Sequence, residues 1–136
     1  MSQENVEIAR RAILAFNATE VGAFTALTTH DFEWFPSMLA IEGQSFRGSE
    51  GIHSYFASLG DAWDEFIILP AEFRDLSELV IMLGGLRGLG KNSGVPVDAE
   101  LGMVFGFRSC EIMSIHGYLD HREALAAAGL TEKDAH

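Results

Sequence analysis

The stretch Val95-Pro96-Val97-Asp98-Ala99-Glu100-Leu101-Gly102-Met103-Val104-Phe105-Gly106-Phe107-Arg108 decides the fold class. Val97, Ala99, Leu101, Met103, Phe105 and Phe107 fall on one side of an extended chain, and Asp98, Glu100, Gly102, Val104, Gly106 and Arg108 on the other. Side chains alternate across a strand, so the first row faces a core. The next run repeats the pattern, with Met113, Ile115, Gly117 and Leu119 in one row and Ser114, His116, Tyr118 and Asp120 in the other. Ser109-Cys110-Glu111 between them reads as a tight turn, so the two segments make an antiparallel hairpin.

Upstream, residues 76–89 and 64–73 read as two more strands, and Gly88-Leu89-Gly90-Lys91-Asn92-Ser93-Gly94 as the loop that joins 76–89 to 95–108. The segment 79–83 is apolar on both faces, so both faces are expected to be covered: one by helices, the other by a second subunit. The pair Gly84-Gly85 marks a place for a bulge. The helices lie earlier. Val6, Ala9, Ile13 and Phe16 share one helical face, and Glu4 suits the positive end of that helix. A short helix is expected over 21–28 with Val21, Phe24 and Leu27 inward, then a strand over 31–35 ended by Pro36. Ser49 caps a third helix that buries Ile52, Phe56, Leu59 and Trp63. A last helix follows Asp120, whose spacing to Glu123 matches a capping box, and Gly129 ends it. Helices followed by a run of strands argue for an α+β domain, taken as one unit over 1–136.

The composition narrows the function. Of 136 residues 48% are apolar, enough for a real core, and nine basic against twenty acidic residues give a net charge of −11. That charge opposes binding to nucleic acid and to anionic membrane surfaces. No apolar run is long enough to span a bilayer. The N-terminal residues lack the basic and apolar regions of a secretory signal, so a cytoplasmic protein is expected. A lone Cys110 allows neither an internal disulfide nor a cysteine-based metal site. His30, His53, His116, His121 and His136 show no ligand spacing, and Gly88-Leu89-Gly90 is followed by no helix that would make it a dinucleotide loop. No metal and no cofactor are expected.

Four segments carry a family resemblance. They are Ser2-Gln3-Glu4-Asn5-Val6-Glu7 with Ala15-Phe16-Asn17; His30-Asp31-Phe32-Glu33-Trp34; Phe46-Arg47-Gly48 with Gly51-Ile52; and Tyr118-Leu119-Asp120 with Glu123-Ala124-Leu125 and Ala128-Gly129-Leu130. Together they resemble the SnoaL-like proteins of the nuclear-transport-factor-2-like superfamily over the whole chain. The resemblance implies a cone: a curved antiparallel sheet wrapped around N-terminal helices, with an internal pocket. It also implies a homodimer packed through the outer sheet face. Polyketide cyclases, ketosteroid isomerase, limonene epoxide hydrolase and scytalone dehydratase share that fold and act on apolar, ring-like molecules.

Their catalytic groups do not carry over. The isomerase's base falls near Trp34, its acidic donor near Met103 and its tyrosine near Ala12. The cyclases' acid–base aspartate falls near Gly117 and their supporting histidine near Met103. The epoxide hydrolase's aspartate also falls near Gly117, and its arginine and second aspartate near Leu83 and Gly85. A buried carboxylate with a raised pKa is what such a base needs, and the inner rows hold none.

The leading expectation is therefore a pocket for an apolar small molecule, up to a polycyclic one, lined by Trp34, Phe56, Leu83, Gly85, Leu101, Met103, Phe105, Ile115 and Gly117. A second reading is a cyclase, isomerase or hydratase using His116, Tyr118 and Asp120, which needs those three to face inward. His116 would pair with Glu100 as acid and base, against a plain cross-strand contact on the outer face. Asp120 with His121 would form a dyad, against a helix cap and its first residue. The Tyr55 hydroxyl would reach the pocket mouth, against a half-packed phenol left in water. Arg87 would orient an acidic ligand, against an ordinary surface charge. A third reading is a non-catalytic protein with a filled pocket that pairs with itself through Val104, His116 and Tyr118.

Overall fold

The structure, a computed structural model, describes residues 2–36 and 45–130, with Ser2 described in its backbone alone; His136 lies outside the described residues. In chain order the elements are α1 (Ser2–Asn17), α2 (Val21–Thr25), β1 (Thr28–Phe35), β2 (Phe46–Arg47), α3 (Gly48–Ala62), β3 (Trp63–Leu76), β4 (Leu79–Gly90), β5 (Pro96–Arg108), β6 (Glu111–Tyr118) and α4 (His121–Ala127). The strands form one curved, unclosed sheet in the order β2-β1-β6-β5-β4-β3. The domain is α+β, with the helices of its N-terminal half on the inner face.

The four late strands are the antiparallel meander that their alternation implies. Ser109 and Cys110 make the β5–β6 turn with φ of 52° and 65°, the left-handed geometry that matches strand twist in a two-residue hairpin. β1 joins the free side of β6 in parallel, with Trp34 opposite Ile115, and carries β2 antiparallel on its far side. A parallel neighbour needs a long crossover, and all the chain from α3 to β5 supplies it here.

The sheet bends on β3, where Asp64 and Ala71 are extra residues against β4. The bulge foreseen at Gly84-Gly85 thus lies on the facing strand; β4 itself runs unbroken along β5. Gly84 sits where the strands crowd: a Cβ there would lie 2.2 Å from the Leu69 carbonyl oxygen.

The core has two unequal parts. Inside the curve, Ala9, Ala12, Ile13 and Phe16 of α1 and Ile52, Tyr55 and Leu59 of α3 meet Val80, Met82, Leu86, Leu101, Met103, Phe105, Ile112 and Ile115. The Asn17 amide fastens α1 to β3, donating to the Ile68 carbonyl and accepting from the Ile68 N–H at 2.8 and 2.9 Å. Outside the curve, α4 lays Ala124 and Leu125 on Ile81, Leu83 and Val104, with Tyr118 at the edge. The second cover of β4 at these positions is therefore α4 of the same chain rather than another subunit.

Asp120 caps α4, its carboxylate accepting from the Arg122 N–H at 2.7 Å. The His121 backbone N–H donates to Glu100, and its Nε2 donates to the Gly84 carbonyl at 2.8 Å. Gly129, at φ 81°, ends the helix as expected. No described helix is long and apolar enough to cross a membrane.

Candidate functional site

The inner face leaves an aromatic-walled cavity between the helices and the sheet. The strand alternation places its floor: Leu101 and Met103 from β5, Gly117 from β6, and Leu86 from β4. Trp34 and Pro36 close it from the end of β1, Phe66 and Ile68 from β3, and Phe16 and Tyr55 from the helices. The unfilled space measures about 330 Å³ out to its mouth, but its interior is water-sized, so the walls leave little slack.

Aromatic packing sets that shape. Trp34 stacks on Phe24 at 4.8 Å between ring centres and meets Tyr55 edge-on at 4.5 Å. Phe16 touches Trp34, Tyr55, Phe56 and Phe66 in turn. Such tilted and offset contacts add to the burial of each ring. Among the described residues the lining carries no Asp, Glu, His, Lys or Arg. The one titratable side chain among the described lining residues is Tyr55, and burial pushes that phenol far above its usual range, so it stays a neutral hydroxyl.

No family profile matches the sequence, and no curated protein does. Solved structures do match in shape. A protein of unknown function from Burkholderia pseudomallei K96243, described as nuclear-transport-factor-2-like, superposes with a TM-score of 0.78 at 18% identity, over 90% of this chain and 95% of that one. A Catenulispora acidiphila DSM 44928 protein with a ketosteroid isomerase-like fold, in complex with trimethylamine, gives 0.74 at 20% identity over 91% and 93%. A candidate SnoaL-like polyketide cyclase from Jannaschia sp. CCS1 gives 0.76 at 16% identity over 96% and 92%. The fold is nuclear-transport-factor-2-like. Identities this low speak to fold alone, and a fold of this kind hosts many functions.

Within the nuclear-transport-factor-2-like frame, Trp34, Leu101, Met103 and Gly117 line the cavity. Phe105 and Ile115 lie deeper, fully enclosed in the solid core. Phe56 packs on Phe16 and Phe24 and borders a neighbouring cleft with Leu59 and Trp63. Leu83 and Gly85 need correction: Leu83 belongs to the outer cluster under α4, and Gly85 pairs with Glu100 in the same outward register. The inward residues of β4 are Val80, Met82 and Leu86. A strand apolar on both sides does not announce its faces, which is why parity failed there.

Phe16, Pro36, Phe66, Ile68 and Leu86 line the cavity without having been singled out, and Tyr55, weighed only for its mouth, is part of the wall. Tyr55 stands one turn from Ile52 and Leu59 on α3, so helical spacing carried the signal, and the hydroxyl argued wrongly for an outward place.

The polar candidates lie elsewhere. His116 faces outward opposite Val104 rather than Glu100, and stacks on Phe35 at 4.2 Å. Partial burial holds its pKa below the usual value, and the Glu33 carboxylate opposes that shift. Glu100 instead accepts from His121. Tyr118 packs toward α4, and Asp120 is a helix cap. None of the three points into the cavity, which removes the geometry that a reaction using them requires. Arg87 faces outward near Asp98, and His53 is exposed. Among the described residues no three His, Cys, Asp or Glu side chains gather as metal ligands.

Proposed function

We propose that this protein binds a compact, neutral, mainly apolar molecule of about one ring in the inner cavity. The observation that carries the reading is the described lining itself, which is aromatic and aliphatic, with no charged group among the described residues. Small-molecule sites are concave, mostly apolar and carry few polar groups. The interior proper is only water-sized, so the proposed ring occupies the open space toward the mouth with the walls yielding around it, and a polycyclic skeleton fits less well still. The Catenulispora neighbour of like fold holds a molecule as small as trimethylamine, which supports a small occupant and nothing finer. No acid or base stands among the described lining residues, and the proposal is binding without an assigned reaction.

The test is a titration with one-ring and polycyclic compounds, read by intrinsic fluorescence, since Trp34 is part of the wall. Saturable binding of one-ring compounds is expected, and Met103→Phe, which adds bulk to the floor, should abolish it with the circular dichroism unchanged. No saturable response across the panel, or binding untouched by the filled floor, would reject the proposal.

Self-pairing through the outer sheet is a second proposal. Val104 is 7% exposed beneath α4, so the contact is assigned to what α4 leaves open, around Leu69, which is 38% exposed. A single species of monomer mass in light scattering would exclude it.

A further inference from the structure

Two buried donors in the cavity wall have nothing to bond. Tyr55 and Trp34 are 4% and 3% exposed, and both line the cavity. Among the described residues neither the Tyr55 hydroxyl nor the Trp34 indole N–H makes a hydrogen bond, and neither is among the polar atoms sealed away from open space. Both residues line the cavity, so a molecule seated there lies within reach of that wall. Tyrosine hydroxyls and tryptophan N–H groups find partners when buried, and an unpaired one costs free energy unless a water or ligand meets it. The two rings are adjacent, 4.5 Å between centres and inclined at 66°, so both donors belong to one wall. Among the described residues the lining side chains offer no strong acceptor to balance them; Met103 contributes only a thioether.

We propose that the cavity selects ligands bearing a neutral acceptor oxygen, such as a ring ketone, which accepts from the Tyr55 hydroxyl and the Trp34 indole N–H. This rests on the pocket reading above and adds the chemistry of recognition to it. A hydrocarbon of the same shape leaves both donors unpaired and binds less well. A carboxylate ligand is disfavoured, because the described lining holds no cation to offset its desolvation.

The test compares acetophenone with α-methylstyrene, in which C=CH2 replaces C=O at nearly the same shape. Binding is followed by 1H–15N NMR, where the indole peak of Trp34 reports on the cavity and that of Trp63 serves as the internal control. Acetophenone should bind about ten-fold tighter and move the Trp34 indole proton downfield, as one good hydrogen bond implies. Tyr55→Phe keeps the ring and loses the hydroxyl; it should bring the two affinities within about two-fold. Equal binding of both compounds to the unaltered protein would overturn the donor assignment and leave the pocket standing. Binding of neither would overturn both. A preference that survives Tyr55→Phe with no movement of the Trp34 peak would also overturn the assignment.

Discussion

Asn17 ties the first helix to the third strand with one amide, and its two bonds to Ile68 are the kind of contact a pattern of apolar residues never reveals. Asn17→Ala is expected to cost about 1–3 kcal/mol, because the Ile68 N–H and C=O lose their partners in a half-buried place; urea denaturation measures it. Two titrating groups give pH signatures. The Arg108 guanidinium holds the Asp31 carboxyl at about 2, below its ordinary 3.8. A depressed acid favours the folded state above its unfolded pKa and loses that benefit as pH falls through the folded one. Stability should therefore drop between pH 4 and 2 by more in the parent than in Asp31→Asn, and salt should flatten the difference because both groups are exposed. His116 has a lowered pKa from burial. Its neutral form favours folding above about 6.5, and that contribution is lost as pH falls from there toward the folded pKa. An NMR titration should give His116 a midpoint below 6.5, and Glu33→Gln, by removing the opposing charge, should lower it further.

At the scale of elements, α4 is the test of the outer core. Leu125→Ala removes a nearly enclosed side chain and should cost about 2–5 kcal/mol. A Cβ on Gly102 would lie 2.5 Å from that of Ala124. Gly102→Ala should push the helix off and destabilise by about 1–3 kcal/mol, and Ala124→Gly in the same chain should restore part of the loss. Elements were legible where their two faces differ. β5 shows alternation from Val97 to Phe107, and its inner row stands where that alternation puts it. β4 is buried at Val80, Ile81, Met82 and Leu83 alike, so no period marked its faces, and Leu83 and Gly85 were placed on the wrong one. On α3, Tyr55 and Phe56 flank the same stripe; neighbouring chemistry decided between them, and the phenol went inside. The place of α4 was illegible for another reason. Seven residues with two buried positions, Ala124 and Leu125, do not say which surface they cover.

At the scale of the molecule, the shape came through because several segments agree: a helical N-terminal half, a meander after it, and a capped helix at the close. The cavity's walls were half legible, since they depend on bulges at Asp64 and Ala71 that re-aim β3. The filled interior has a measurable outcome. Met103→Ala enlarges the floor at a cost of about 2–5 kcal/mol, and a one-ring ligand should return part of that stability, seen as a larger rise in Tm than in the parent protein. One more consequence lies in the pairing of β1 with β6. During synthesis the segment carrying Phe24, Phe32 and Trp34 leaves the ribosome long before the last strand is made, and at ~5–20 residues per second it waits several seconds with an unpaired edge. The chain therefore depends on a late event for its earliest strand. Its refolding should be slow for its size, and a nascent chain halted short of Glu111 should be a substrate for chaperones rather than a partly finished fold.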